Sequence, residues 1–155
     1  DAPFSMELVY RPAMSTERLR VGTPAIVQLS VLDAALDAWN HVDMAELRNA
    51  SVALSECFIR EVATRCPMLT LVSPNNPAQR GSQVSFAFEH GYAAMQALID
   101  RGVIGDFRAP AIMRFGFAPL YLDEGDVMRA AKIIEEVMSG ELWRDPKYQV
   151  VSRVT

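Results

Sequence analysis

Ile112-Met113-Arg114-Phe115-Gly116-Phe117-Ala118-Pro119-Leu120-Tyr121 places a single charge inside a block that otherwise reads as buried strand. The residues around Arg114 favour β-structure, and Pro119 closes the block because proline offers no N–H to a sheet ladder. Arg114 therefore falls mid-strand. An arginine cannot shed its charge, and its planar fork matches a carboxylate or phosphate through two parallel hydrogen bonds. A half-buried guanidinium there is either paired with an internal Asp or Glu, the commoner arrangement, or open to an acidic ligand.

Around this block the apolar period alternates between two and 3.6 residues. Upstream, Met68 to Val72 reads as an apolar strand closed by the turn residues Ser73-Pro74-Asn75-Asn76-Pro77. Gln83 to Phe88 reads as a second strand, with Val84, Phe86 and Phe88 alternating against Gln83, Ser85 and Ala87. A helix from about Gly91 to Arg101 buries Ala94 and Leu98 and stops at Gly102. It leads into a Val103-Ile104 extension and a turn at Asp106-Phe107-Arg108-Ala109-Pro110. Downstream, Val127, Ala130, Ala131, Ile134 and Val137 line the inner face of a helix from near Asp123 to near Gly140. The tail, Glu141 to Thr155, forms one short strand at Tyr148 to Val151. The resulting β-β-α-β-α order over residues 67–140 specifies an α+β fold, a small antiparallel or mixed sheet with helices on one face.

Further upstream, Asp43 with Glu46 three residues later has the pattern of a helix N-terminus. Leu47, Ala50, Leu54, Phe58 and Val62 carry that helix to about Arg65. More than twenty helical residues suggest a rod joining two bodies. Before it, Ile26, Leu29, Leu32, Ala35, Leu36 and Trp39 keep a helical stripe to about His41, with Asp33 and Asp37 off it. That helix is introduced by Arg20-Val21-Gly22-Thr23-Pro24, where Gly22 permits unusual dihedrals and Thr23 can cap. Residues 1–20, broken by Pro3 and Pro12, suit an extended arm, and a chain opening at Asp1 reads as a piece of something longer. The expected organisation is thus 1–42, the end of a larger body, and 43–155, a smaller domain opened by the long helix.

At 155 residues, 50% hydrophobic and 22% charged, the chain has the make-up of an ordinary globular domain. A net charge of -4 without a basic stripe argues against a nucleic-acid partner. No apolar run approaches the roughly 20 residues of a membrane span, so no membrane is expected and the location reads as cytoplasmic. Cys57 and Cys66 suit free thiols in a reducing compartment. His41 and His90 have no partner at ligand spacing, so no metal is implied. Asp123, Glu124 and Asp126 suit the positive end of a helix dipole. The glycines form no phosphate cradle. These residues contain no self-sufficient active site, and the expected catalytic set within the chain is empty.

Four segments in register change the weights. Arg20-Val21-Gly22-Thr23-Pro24 and Arg80-Gly81-Ser82-Gln83-Val84-Ser85 are followed by Arg101-Gly102-Val103-Ile104-Gly105-Asp106-Phe107-Arg108-Ala109-Pro110. The fourth is Ile112-Met113-Arg114-Phe115 with Ala118-Pro119-Leu120-Tyr121 and Asp126-Val127. Together they resemble the C-terminal part of the kynureninase family over nearly the whole chain. The resemblance implies an aspartate-aminotransferase-like homodimeric enzyme that uses pyridoxal 5'-phosphate. Its reaction would be hydrolysis of the small-molecule substrate kynurenine, or 3-hydroxykynurenine, to anthranilate, or 3-hydroxyanthranilate, and L-alanine, in tryptophan catabolism leading to NAD biosynthesis. Residues 1–42 would end the large cofactor domain, and the helix from Asp43 would open the small one.

Residue by residue, the resemblance makes Arg114 the group that grips the substrate's α-carboxylate. It places Gly22 and Thr23 at the cofactor phosphate of the neighbouring subunit. It also implies a lysine that this chain lacks, since only Lys132 and Lys147 are present and neither sits in a suitable context. The fragment alone is therefore expected to be inactive. The alternative is a free-standing α+β module that binds an amino acid through Arg114 without turning it over.

Overall fold

The computed structural model describes residues 6, 8–19 and 22–150. Of the arm expected at 1–20, residues 1–5, 7 and 20 lie outside that range, as does Val151 at the end of the expected tail strand. The chain divides into two compact units, Asp1–Val42 and Asp43–Thr155.

In the first unit, α1 (Ile26–Leu36) is flanked by short 3-10 turns at Ser15–Leu19 and Asp37–Trp39. The expected stripe is not what forms. Val27 and Val31 join Ile26, Leu29, Leu32 and Leu36 to make the helix apolar almost all round, and none of its residues is buried. The N-cap also differs from expectation. Ala25 occupies that position and the cap has no side-chain hydrogen bond. Pro24 and Ala25 separate Thr23 from the first turn, which puts its hydroxyl out of capping position.

The second unit begins with α2 (Met44–Arg65). Asp43 caps it by accepting from the backbone N–H of Ala45 and Glu46, at 2.8 and 2.9 Å. Ser51, Leu54, Ser55, Cys57, Phe58 and Val62 form its buried face. Four strands follow, β1 (Thr70–Leu71), β2 (Gln83–Ala87), β3 (Asp106–Arg108) and β4 (Ile112–Gly116), in the antiparallel order β1-β2-β4-β3. Between β2 and β3 lies α3 (Gly91–Ile99), and after β4 come α4 (Glu124–Ser139) and α5 (Pro146–Gln149). This is an α+β fold with a small antiparallel sheet.

Val84 and Phe86 of β2 and Met113 and Phe115 of β4 point into one core. There the Phe58 ring of α2 meets those of Phe86, Phe115 and Phe117 at centroid distances of 6.0, 5.2 and 5.3 Å. Leu98 of α3 and Ala131, Ile134 and Val137 of α4 complete it, all fully buried. Asp123 and Asp126 close a reciprocal capping box at the start of α4, the helix end at which the acidic cluster is expected to sit, though the expectation is of a dipole effect and not of capping.

Three local expectations are corrected. The first strand is only two residues long, because Leu69 N–H turns back to the Cys66 carbonyl at 2.9 Å before pairing can begin. Asp106–Arg108, expected as a turn, is an edge strand whose single apolar residue, Phe107, packs against Tyr92 at 5.7 Å. The tail forms a helical turn instead of a strand. Asp145 caps it through Lys147 N–H, Pro146 sits in the first turn, and Tyr148 is buried. An Asp-Pro start outweighs the β-propensity of Tyr148 and the valines that follow it.

Candidate functional site

Antiparallel pairing puts Ser85, Arg114 and Asp106 in one row across β2, β4 and β3, since residues directly opposite one another share a face. Met113 and Phe115 turn to the core, so Arg114 turns to the other face, where its side chain keeps 27% of its exposure. Ser85 Oγ accepts from Gln83 Nε2 at 3.3 Å, and Ser85 N–H donates to Ser73 Oγ at 2.9 Å. The row is polar.

Arg114 has an internal partner. Its Nε donates to Asp106 Oδ1 and its Nη2 to Asp106 Oδ2, both at 2.5 Å. The arrangement expected from the residues alone as the commoner one is therefore present, though its carboxylate is no buried anchor, being about half exposed. The guanidinium beside Asp106 holds that carboxyl below the usual aspartate range, and Asp106 in turn raises the pKa of Arg114. Arg108 Nε approaches the same Asp106 Oδ1 at 3.9 Å.

An arginine offers five N–H donors on two usable edges. Asp106 takes the Nε–Nη2 edge. Among the described residues Nη1 donates to nothing, so the Nη1–Nη2 edge remains able to take a second carboxylate bidentately. Two guanidiniums around one carboxylate leave one net positive charge for it.

Gly105 fixes the edge strand behind this row. A Cβ there would lie 2.6 Å from the Arg114 carbonyl oxygen and 2.8 Å from Met95 Cε. Only glycine lets β3 approach β4 this closely.

Gly22 and Thr23 belong to the first unit and Arg114 to the second. Thr23 is exposed, and a Cβ on Gly22 would meet nothing within 4 Å. Lys147 Nζ lies 4.5 Å from the Tyr148 ring centroid and donates to Asp100 Oδ2 at 3.1 Å, contacts with Tyr148 and Asp100 that raise its pKa. Lys132 is exposed on α4. Cys57 and Cys66 are free and buried, and burial pushes the Cys66 thiol up to about 11, too high for thiolate chemistry at neutral pH. Among the described residues no group of His, Cys, Asp and Glu could hold a metal, and no helix is long and apolar enough to cross a membrane.

Two features escaped sequence reasoning. Asp106 is one, and the alternation Asp106-Phe107-Arg108 was its signal. The other is an arginine staple on the loop before β2. Arg80, with its side chain 2% exposed, donates from Nη1 to the carbonyls of Pro74 and Asn75 at 2.7 and 3.2 Å and pairs with Glu56 through Nη2. Arg48 Nη2 adds the Pro77 and Arg80 carbonyls at 2.6 and 2.7 Å. A separate, partly open cavity of about 280 Å³ is lined by Phe58, Phe115, Leu122 and Ile133 together with the charged Asp126 and Arg129.

The comparisons with known proteins agree with one another. A family model described as the kynureninase C-terminal domain matches residues 47–134. Kynureninase of Pseudomonas fluorescens is 46% identical over 154 residues, which is 98% of this chain and 37% of that protein. Kynureninase of Burkholderia mallei (strain SAVP1) is 43% identical over 156 residues, 99% of this chain and 38% of that protein. The chain thus spans little more than a third of the length of these curated relatives.

Proposed function

The chain belongs to the kynureninase family, and from that premise we propose that it is the C-terminal part of a hydrolase acting on kynurenine or 3-hydroxykynurenine. The products are anthranilate, or 3-hydroxyanthranilate, and L-alanine. Its share of the work is to hold the substrate by its α-carboxylate. The observation that carries this reading is that, among the described residues, Asp106 fixes the guanidinium of Arg114 through Nε and Nη2 and leaves Nη1 and the second Nη2 hydrogen to a further carboxylate.

In this reading residues 1–42 end the large cofactor domain and 43–155 form the small one. The cofactor is pyridoxal 5'-phosphate, which when bound supplies an electron sink. The residues present here fit only the edge of such a site. Thr23 brings a hydroxyl without a capping task, suited to a phosphate oxygen across a homodimer contact, and Gly22 beside it adds no bulk. The linking lysine belongs to the remainder of the full-length protein, since Lys147 is held by Asp100 and Lys132 lies on an exposed helix face. The enzyme is placed in the cytoplasm, as part of tryptophan degradation.

Arg114→Ala in the full-length protein tests this. Loss of a charged, bidentate partner should raise KM for kynurenine and lower kcat/KM roughly 100-fold. Unchanged steady-state kinetics would remove Arg114 from the site.

A further inference from the structure

The Asp106–Arg114 pair can be read in two opposite ways. The carboxylate either competes with the substrate for the guanidinium or holds the guanidinium ready for it. The geometry decides between them. Either edge can take a carboxylate bidentately, so Asp106 would exclude a substrate carboxylate only by blocking both. Asp106 instead sits side-on, on Nε and Nη2 at 2.5 Å each, leaving Nη1 and the second Nη2 hydrogen.

The backbone supports the same conclusion. Asp106 is the direct cross-strand neighbour of Arg114, and Gly105 sets that register at a backbone approach no larger residue allows. Arg108 Nε approaches the same Asp106 Oδ1 at 3.9 Å and partly offsets its negative charge, so the pair does not cancel the attraction for an anion.

We propose that Asp106 is a positioning residue, orienting Arg114 so that its Nη1–Nη2 edge meets a substrate carrying one α-carboxylate. This rests on the reading of Arg114 as the carboxylate clamp. A long side chain with four torsions is fixed by a neighbour on a rigid strand, so less freedom is lost when substrate arrives.

The test is a double-mutant cycle in the full-length, cofactor-loaded protein with kynurenine as substrate. Asp106→Asn keeps the shape but replaces one acceptor oxygen by an N–H donor. It should raise KM about tenfold while kcat stays within about twofold. In the Arg114→Ala background the same substitution should change KM no further. A second readout uses this chain itself. In ¹⁵N spectra the Arg114 Nε–H signal should be slowed in exchange in the parent and broadened or lost in Asp106→Asn, with the amide spectrum otherwise preserved.

If Arg114→Ala leaves KM unchanged, the clamp reading itself fails. If Arg114→Ala raises KM but Asp106→Asn leaves it alone or lowers it, the clamp stands and the positioning role is overturned, a lowered KM marking Asp106 as a competitor. An Asp106→Asn effect that persists without Arg114 would overturn it equally.

Discussion

In α1, Ile26, Val27, Leu29, Val31, Leu32 and Leu36 are all more than half exposed, whereas in α4 Val127, Ala131, Ile134, Val137 and Met138 are 4% exposed or less. α1 is the more apolar of the two and yet the less buried, because its apolar residues are arranged differently. α4 gathers its apolar residues on one side and offers polar ones to water, so one neighbouring layer is enough to bury it. α1 spreads them round the axis, a pattern that stays stable only when several sides are covered. Asp43–Thr155 therefore accounts for its own core, while the first unit presents apolar surface that calls for more protein. In the proposed function that protein is the remainder of the cofactor domain.

The sharpest way to break this contrast is by truncation on each side of it. Phe58→Ala should cost about 3–5 kcal/mol, because the ring is 2% exposed and touches three other phenylalanines. Leu29→Ala in the same 155-residue chain should change stability by less than about 0.5 kcal/mol. Denaturant unfolding followed by circular dichroism checks both, and equal effects would dissolve the distinction between the two units.

A smaller loss is expected within the second unit from Arg80→Met, about 2 kcal/mol, since the Pro74 and Asn75 carbonyls lose their charged donor. The same unfolding measurement, with hydrogen exchange on residues 73–82, would show the loop loosening while the amides of α4 remain protected.

The smallest effect is the acid response. Lys147 and Tyr148 hold Asp100 below its usual range, Arg114 does so for Asp106, and the Asp123 N–H with Arg129 does so for Asp126. Folded values that lie below the unfolded one, near 3.9, give stability that is complete above that pH and lost as pH falls through the folded values. These three groups therefore add no pH dependence between about pH 5 and 8. The stability difference between parent and Asp106→Asn should be present at pH 7 and shrink near pH 2, at modest size because the pair is partly exposed. A difference that grew in acid would reverse the sign of this account.

How much of this was legible in the sequence follows from the same contrast. The period of α2, β2, α3, β4 and α4 was strong because each places apolar residues on one side, and their bounds follow it closely. β3 was missed because its alternation, Asp106-Phe107-Arg108, is only three residues long and holds one apolar side chain, too short to stand out from a turn. The tail was misread because capping by Asp145 is a two-residue signal competing with a longer apolar one. In α1, a stripe was read where the apolar residues go right round. For the site, Arg114 stood out as a charge in a strand, but its partner lay eight residues away inside an expected turn. Pairing across strands is a property of register, and register was not visible until β3 existed.

The most direct measurement is a crystal structure of the full-length protein with its cofactor and L-alanine bound. The account predicts that both carboxylate oxygens lie within hydrogen-bond reach of Arg114 Nη1 and Nη2 while Asp106 still holds Nε. An amino-acid carboxylate bound elsewhere, with the Arg114 edge left empty, would contradict it.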